Sequence, residues 1–166
     1  MHRSHFLRAI TVGIFAVGFA VVAGKLALAQ QPAAAPPPTP AQIIRARQAA
    51  YEMSVVTFSQ LKRAVDTGSD VTKQKFAADA LAAWAAALPT LFPQGTGPGQ
   101  TPIETSAKAE VWSNRTGFLG RANVYAAMTA KLADVAKAGD ASQFANQVDL
   151  VKKACDACHA DFKTRD

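Results

Sequence analysis

The chain has 166 residues, with 18 basic and 12 acidic side chains, a formal net charge of +6 and two cysteines. That length suits one modest domain. No basic run interleaved with aromatics appears, and so mild a charge does not argue for a nucleic-acid binder.

At the N-terminus, Arg3 and Arg8 form a basic segment, and Ala9 to Ala23 carries no charge. Ala27-Leu28-Ala29 then makes a small-x-small pattern before Gln30, so residues 1–29 read as a cleavable secretory signal peptide. A retained membrane anchor is the alternative, but 15 uncharged residues fall short of the ~20 that a span needs. Cleavage leaves 137 residues with 15 basic and 12 acidic side chains, a net charge of +3, and no expected membrane span. It also removes His2 and His5, so His159 is the one histidine of the exported chain.

Residues 30–39 are rich in Pro and Ala and read as a flexible tail. Residues 40–166 read as four helices. Thr39-Pro40 is an N-cap followed by proline at the first helical position. The first helix then runs to about Val65, with Ile44, Tyr51, Val55, Phe58, Leu61 and Val65 along its apolar stripe. Ser69 is the expected cap of the second helix and Pro89 its end. Ala77, Leu81, Trp84 and Leu88 make its large face, and Phe76, Ala80, Ala83 and Ala87 a flatter one. Four prolines and three glycines between Pro89 and Thr105 mark a long crossing loop. Ser113 is the expected cap of the third helix, whose stripe is Phe118, Tyr125, Met128, Leu132 and Val135, and Gly139 stops it. Asp140 with Gln143 resembles a capping box for the fourth. There Phe144, Val148, Val151, Cys155, Cys158 and Phe162 recur at steps of four and three. The expected fold is all-α: an antiparallel four-helix bundle with a cofactor in its core.

Cys155, Cys158 and His159 spell C-x-x-C-H, the attachment signature of c-type haem. Thiols three residues apart share a helix face and reach two vinyl groups on one haem edge, while the next residue offers its imidazole to the iron. Three other readings compete. A closed disulfide leaves His159 without a role, and a thioredoxin-type redox pair wants a βαβ context that the pattern lacks. A structural zinc site has three of the usual four protein ligands.

The sixth iron ligand decides the chemistry. After His159 no methionine, histidine or cysteine follows, and Lys163 lies one turn on, on the proximal side. A second ligand would have to be Met53 or Met128. Met128 sits on an apolar stripe where packing is the commoner role. Met53 is about 200° round the helix from Tyr51, so the two cannot both face one group.

Arg47-Gln48-Ala49-Ala50-Tyr51-Glu52, Glu110-Val111-Trp112 and Cys155-Asp156-Ala157-Cys158-His159 together resemble the class II c-type cytochromes, and within them the cytochrome c′ branch. The resemblance runs from about Ala41 to Lys163. It implies one covalent haem c, with His159 as the sole protein ligand of five-coordinate, high-spin iron. It places Tyr51 in the distal pocket where low-spin relatives hold a ligating methionine. Arg47 and Gln48 are then near the haem propionates, and Lys163 is the basic residue on the proximal side. It implies a periplasmic protein that binds nitric oxide and carbon monoxide, transfers single electrons with a redox partner, and pairs as a homodimer through its first two helices. The small residues Ala80, Ala83 and Ala87 suit such pairing. Read from the residues alone, Tyr51 is equally a core aromatic, Arg47 a solvated charge, and Lys163 an exposed terminal residue. The competing function is a six-coordinate His/Met electron carrier, and a further one is a structural or scavenging haem protein. An enzyme is not expected, because the exported chain has no second histidine to serve as a peroxidase acid–base group.

Overall fold

The computed structural model describes residues 35–164. The leader read over residues 1–29 and the first part of the tail lie outside the described residues. The chain divides into two units, Met1–Ala35 and Pro36–Asp166, and every element below belongs to the second.

Among the described residues five α-helices follow one another: α1 (Pro40–Asp66), α2 (Lys75–Ala87), α3 (Glu110–Ser113), α4 (Arg115–Ala138) and α5 (Ala141–Phe162). Four are long, as expected, and α3 is a single additional turn. The long helices pack in pairs α1–α2, α2–α4, α4–α5 and α5–α1, which closes a four-helix bundle in chain order. Among the described residues the sole β-type pairing is an isolated antiparallel bridge between Ala107 and Lys163, so a βαβ redox fold has no footing.

Local chemistry sets the helix ends. Thr39 Oγ1 accepts from Gln42 N (3.3 Å) while Gln42 Oε1 accepts from Thr39 N (2.7 Å), a reciprocal capping box with Pro40 just inside. Ser69 does not cap α2. Its N–H donates to Ala64 O and its hydroxyl pairs with Thr67 Oγ1, so it finishes α1. The cap passes to Asp70, whose carboxylate accepts from Thr72 N (2.9 Å) and opens a 3₁₀ turn, Val71–Gln74, that leads into α2. Pro89 lacks the N–H that α2 would need, and the chain tightens into a second 3₁₀ turn, Leu88–Leu91.

Ser113 does not cap the third long helix either, because it ends α3. Asn114 takes the role, accepting from Gly117 N (3.1 Å). Gly139 closes α4 at φ +76°, where an added β-carbon would meet Thr72 Cγ2 at 3.1 Å. Asp140 caps α5 through Gln143 N (2.9 Å), but the glutamine amide donates to the same carboxylate (2.8 Å) instead of returning to the backbone.

Ile44, Leu61, Phe118, Leu132, Phe144 and Val151 are the fully buried centre. Burial of such side chains drives the packing, and truncating Phe118 to Ala would cost roughly 3–5 kcal/mol. The flatter face of α2 stays outside: Phe76, Ala80, Ala83 and Ala87 are all exposed.

Candidate functional site

The periodicity of α5 turns Cys155 and Cys158 to one side, toward α1, where both are half-buried free thiols. Burial pushes the Cys155 thiol up to about 11, with the Asp156 charge adding to the shift and Lys152 opposing it. Burial also raises Cys158, against the pull of Arg121.

Between α1 and α5 lies a cleft of two adjoining cavities, of about 260 Å³ and about 590 Å³. Tyr51, Val55, Cys158 and His159 line both. Phe92, Val111, Phe118 and Phe162 wall the smaller one, and Phe58, Leu88, Ala122, Tyr125 and Cys155 the larger. Thus the imidazole and both thiols come from one helix, and Tyr51 borders the same space from α1. Burial raises both phenols well above their usual range, and Cys155 and Cys158 contribute to the shift of Tyr51.

These walls fit the group that the motif implies. The cleft is apolar, as wide as cavities that enclose large ligands, and carries two sulfurs and one nitrogen along a single edge. A zinc site gains no such support, since no three His, Cys, Asp or Glu side chains converge among the described residues. Methionine ligation is likewise unsupported. Met53 is 71 % exposed, and Met128 packs its sulfur 3.6 Å from Gln147 Nε2. Neither lines the cleft.

Arg47 borders the smaller cavity yet is 2 % exposed. Its Nη1 donates to Leu91 O (3.1 Å) and Thr96 Oγ1 (3.2 Å), and its Nη2 to Thr96 O (3.1 Å) and Thr105 Oγ1 (2.9 Å). The guanidinium also lies 4.3 Å from the centroid of the Phe92 ring. It pins the loop between α2 and α3. The adjoining Gln48 amide donates to Glu104 O (2.9 Å). Trp112, for which sequence supplies no task, donates from Nε1 to Pro93 O (2.9 Å) and steadies the same loop.

The loop then ties down the end of α5. Lys108 N donates to Phe162 O (2.9 Å) and Thr164 N to Ser106 O (2.8 Å), around the Ala107–Lys163 bridge. Lys163 lines the smaller cavity at this point. Sequence reading missed Phe92, Phe162 and Tyr125 as walls of the site. Phe162 and Tyr125 had been visible as stripe positions of their helices, whereas Phe92 lies in an aperiodic loop that offers no signal.

The comparisons agree with this geometry. The family model described as cytochrome c′ matches residues 42–163. A cytochrome c′ of Rubrivivax gelatinosus is 34 % identical over 129 residues, which cover 76 % of this chain and 97 % of that protein. Among solved structures, a cytochrome c′ with ligand-controlled dimer dissociation aligns at a TM-score of 0.73 and 24 % identity, covering 78 % of this chain and 100 % of that one. A ferrous variant of the Alcaligenes xylosoxidans protein with bound nitric oxide aligns at 0.70 and 22 %, covering 79 % and 100 %. Both share the bundle. With the family model spanning the helices and the haem motif alike, the chain belongs to the cytochrome c′ family.

Proposed function

We propose that this chain is a periplasmic gas-binding and electron-transfer protein. It holds one haem c covalently, through thioethers at Cys155 and Cys158, with His159 as the only protein ligand of a five-coordinate, high-spin iron. Haem held in this way supplies a one-electron couple and an open face for nitric oxide or carbon monoxide.

The observation that carries the reading is that His159 of α5 and Tyr51 of α1 line one cleft, with both methionines outside it. α5 presents the imidazole from one side. Tyr51 fills the other with a ring that offers no strong metal donor, because burial keeps its phenol protonated. Bulky ligands are excluded there, and a diatomic gas enters when the ring moves. Arg47 and Gln48 support the propionate side: their donors hold the loop in place, and a buried cation favours carboxylates nearby. Lys163 adds a second positive charge on the proximal side. No histidine other than His159 lines the cleft, so turnover of peroxide is not a role for this site.

The exposed row Phe76, Ala80, Ala83 and Ala87 on α2, with Met53 and Val56 exposed on α1, supports a homodimer through these two helices. The basic segment, uncharged stretch and small-x-small pattern of residues 1–29 support export. No helix among the described residues is long and apolar enough to cross a membrane.

Optical spectra of the ferric and ferrous protein, with and without carbon monoxide, test the reading. High-spin bands that shift with the gas are expected. A sharp low-spin α-band indifferent to carbon monoxide would overturn it. Tyr51→Ala is expected to speed carbon monoxide association by at least tenfold, about 1.4 kcal/mol of barrier.

A further inference from the structure

Among the described residues, Trp84 Nε1 and Arg115 Nη1 are the buried side-chain nitrogens or oxygens without a hydrogen-bond partner. Arg115 keeps another nitrogen bound to Pro89 O (3.0 Å). The indole has a single donor, and no nitrogen, oxygen or sulfur accepts it. Buried N–H groups without acceptors are rare and need an explanation.

Trp84 stands on α2 and lines neither cavity of the cleft, so its N–H is not reserved for a group held there. Its ring packs on Tyr51, with centroids 5.0 Å apart and planes at 79°. Tyr51 therefore has two neighbourhoods: the cleft, which it borders on both cavities, and the indole behind it. The phenol carries the missing acceptor, an oxygen, on a ring already in contact with the donor's ring.

We propose that Trp84 is a positioning residue for gas entry, its indole N–H being the partner that the Tyr51 hydroxyl takes when the ring withdraws from the cleft. The proposal rests on the reading of Tyr51 as the distal block. In the resting arrangement the unpaired N–H raises the free energy, and in the withdrawn arrangement that cost is recovered. The open state is thereby populated more than ring packing alone would allow. Trp84→Phe keeps an aromatic ring against Tyr51 and removes the donor. Tyr51→Phe keeps the block and removes the acceptor.

Carbon monoxide association with the ferrous haem protein, followed after flash photolysis, gives the test. Trp84→Phe is expected to slow association about fivefold, the worth of one ordinary hydrogen bond. Tyr51→Phe should slow it similarly, and Trp84→Phe should add nothing to Tyr51→Phe or to Tyr51→Ala. In proton–nitrogen spectra of the diamagnetic carbon monoxide complex, the Trp84 indole resonance should move downfield and exchange more slowly with solvent. Neither change should occur in Tyr51→Phe. An unaltered or faster rate in Trp84→Phe, or equal slowing with and without the Tyr51 hydroxyl, overturns the proposal, as does an indole resonance indifferent to the gas. A Tyr51→Ala rate equal to that of the native protein overturns the distal block itself, and this inference with it.

Discussion

The two flanks of the cleft are built on opposite principles. On the Arg47 flank every guanidinium nitrogen facing the loop has an acceptor, and the loop it holds is bridged in turn to the end of α5. On the Cys155 flank the wall is Phe58, Leu88, Ala122 and Tyr125, and the charged side chains form an exposed rim of Lys62, Arg63, Asp66, Lys152 and Asp156. Polar satisfaction fixes one side, and apolar area shapes the other. A flat, apolar group with carboxylates at one end needs both: a rigid polar end to set its orientation and a compliant wall against its rings.

The sharpest way to break this contrast is Arg47→Ala. It strips partners from Leu91 O, Thr96 O and two threonine hydroxyls in a part-buried setting, at a cost of roughly 3 kcal/mol or more. Urea unfolding of the haem protein should show the loss, and Arg47→Lys should restore only a minor part, since an ammonium lacks the fork that reaches both Thr96 and Thr105. A loss below about 1 kcal/mol, the worth of one exposed hydrogen bond, would mean that the loop holds itself.

On the apolar flank the corresponding probe is pH. Cys155 is raised by burial from 9.0 to about 11 in the fold. A folded value above the unfolded one means that stability is intact below about 9 and declines as pH rises through about 11, because the unfolded chain sheds its proton first. The haem-free chain should lose urea resistance over that window, and Cys155→Ala should flatten the decline. The raised phenols of Tyr51 and Tyr125 act with the same sign but begin near their ordinary value of 10.0. An unchanged slope in Cys155→Ala would assign the whole decline to them and to Cys158, whose thiol burial also raises.

These flanks also differ in how far sequence exposes them. Helix ends set by neighbours a few residues apart were legible: Thr39 before Pro40, and Gly139 before Asp140. So was the spacing of Cys155, Cys158 and His159, because one helix face carries the chemistry. The caps moved by one residue where a competing local bond intervened, as when Ser69 closed α1. The resemblance to a family placed Tyr51 and Arg47 at the site, but the partners of Arg47 lie 44 to 58 residues along the chain. No periodicity encodes such contacts. Trp84 was legible as part of a face, and its unpaired N–H only from the packed structure.

A smaller effect belongs again to the tied flank. Trp112→Phe removes the 2.9 Å bond to Pro93 O while keeping a ring near Phe92. About 1 kcal/mol of stability should go. The optical spectrum should stay unchanged, since Trp112 borders neither cavity.

The smallest effect is expected at the rim of the larger cavity. Lys62–Asp66 (2.8 Å) and Lys152–Asp156 (2.6 Å) are i,i+4 pairs on α1 and α5, with side chains 55–60 % exposed. Water screens such pairs, and each should contribute less than about 0.5 kcal/mol. Lys62→Ala should therefore leave the urea midpoint almost unmoved. Lys152→Ala should do the same for stability, yet it removes a charge that lowers the Cys155 thiol, so in the haem-free chain the thiol should titrate higher still. Asp156→Ala should move it the other way. If Lys152→Ala instead destabilised the protein as much as Trp112→Phe, the rim would be part of the framework, and the division between a tied flank and a compliant one would fail.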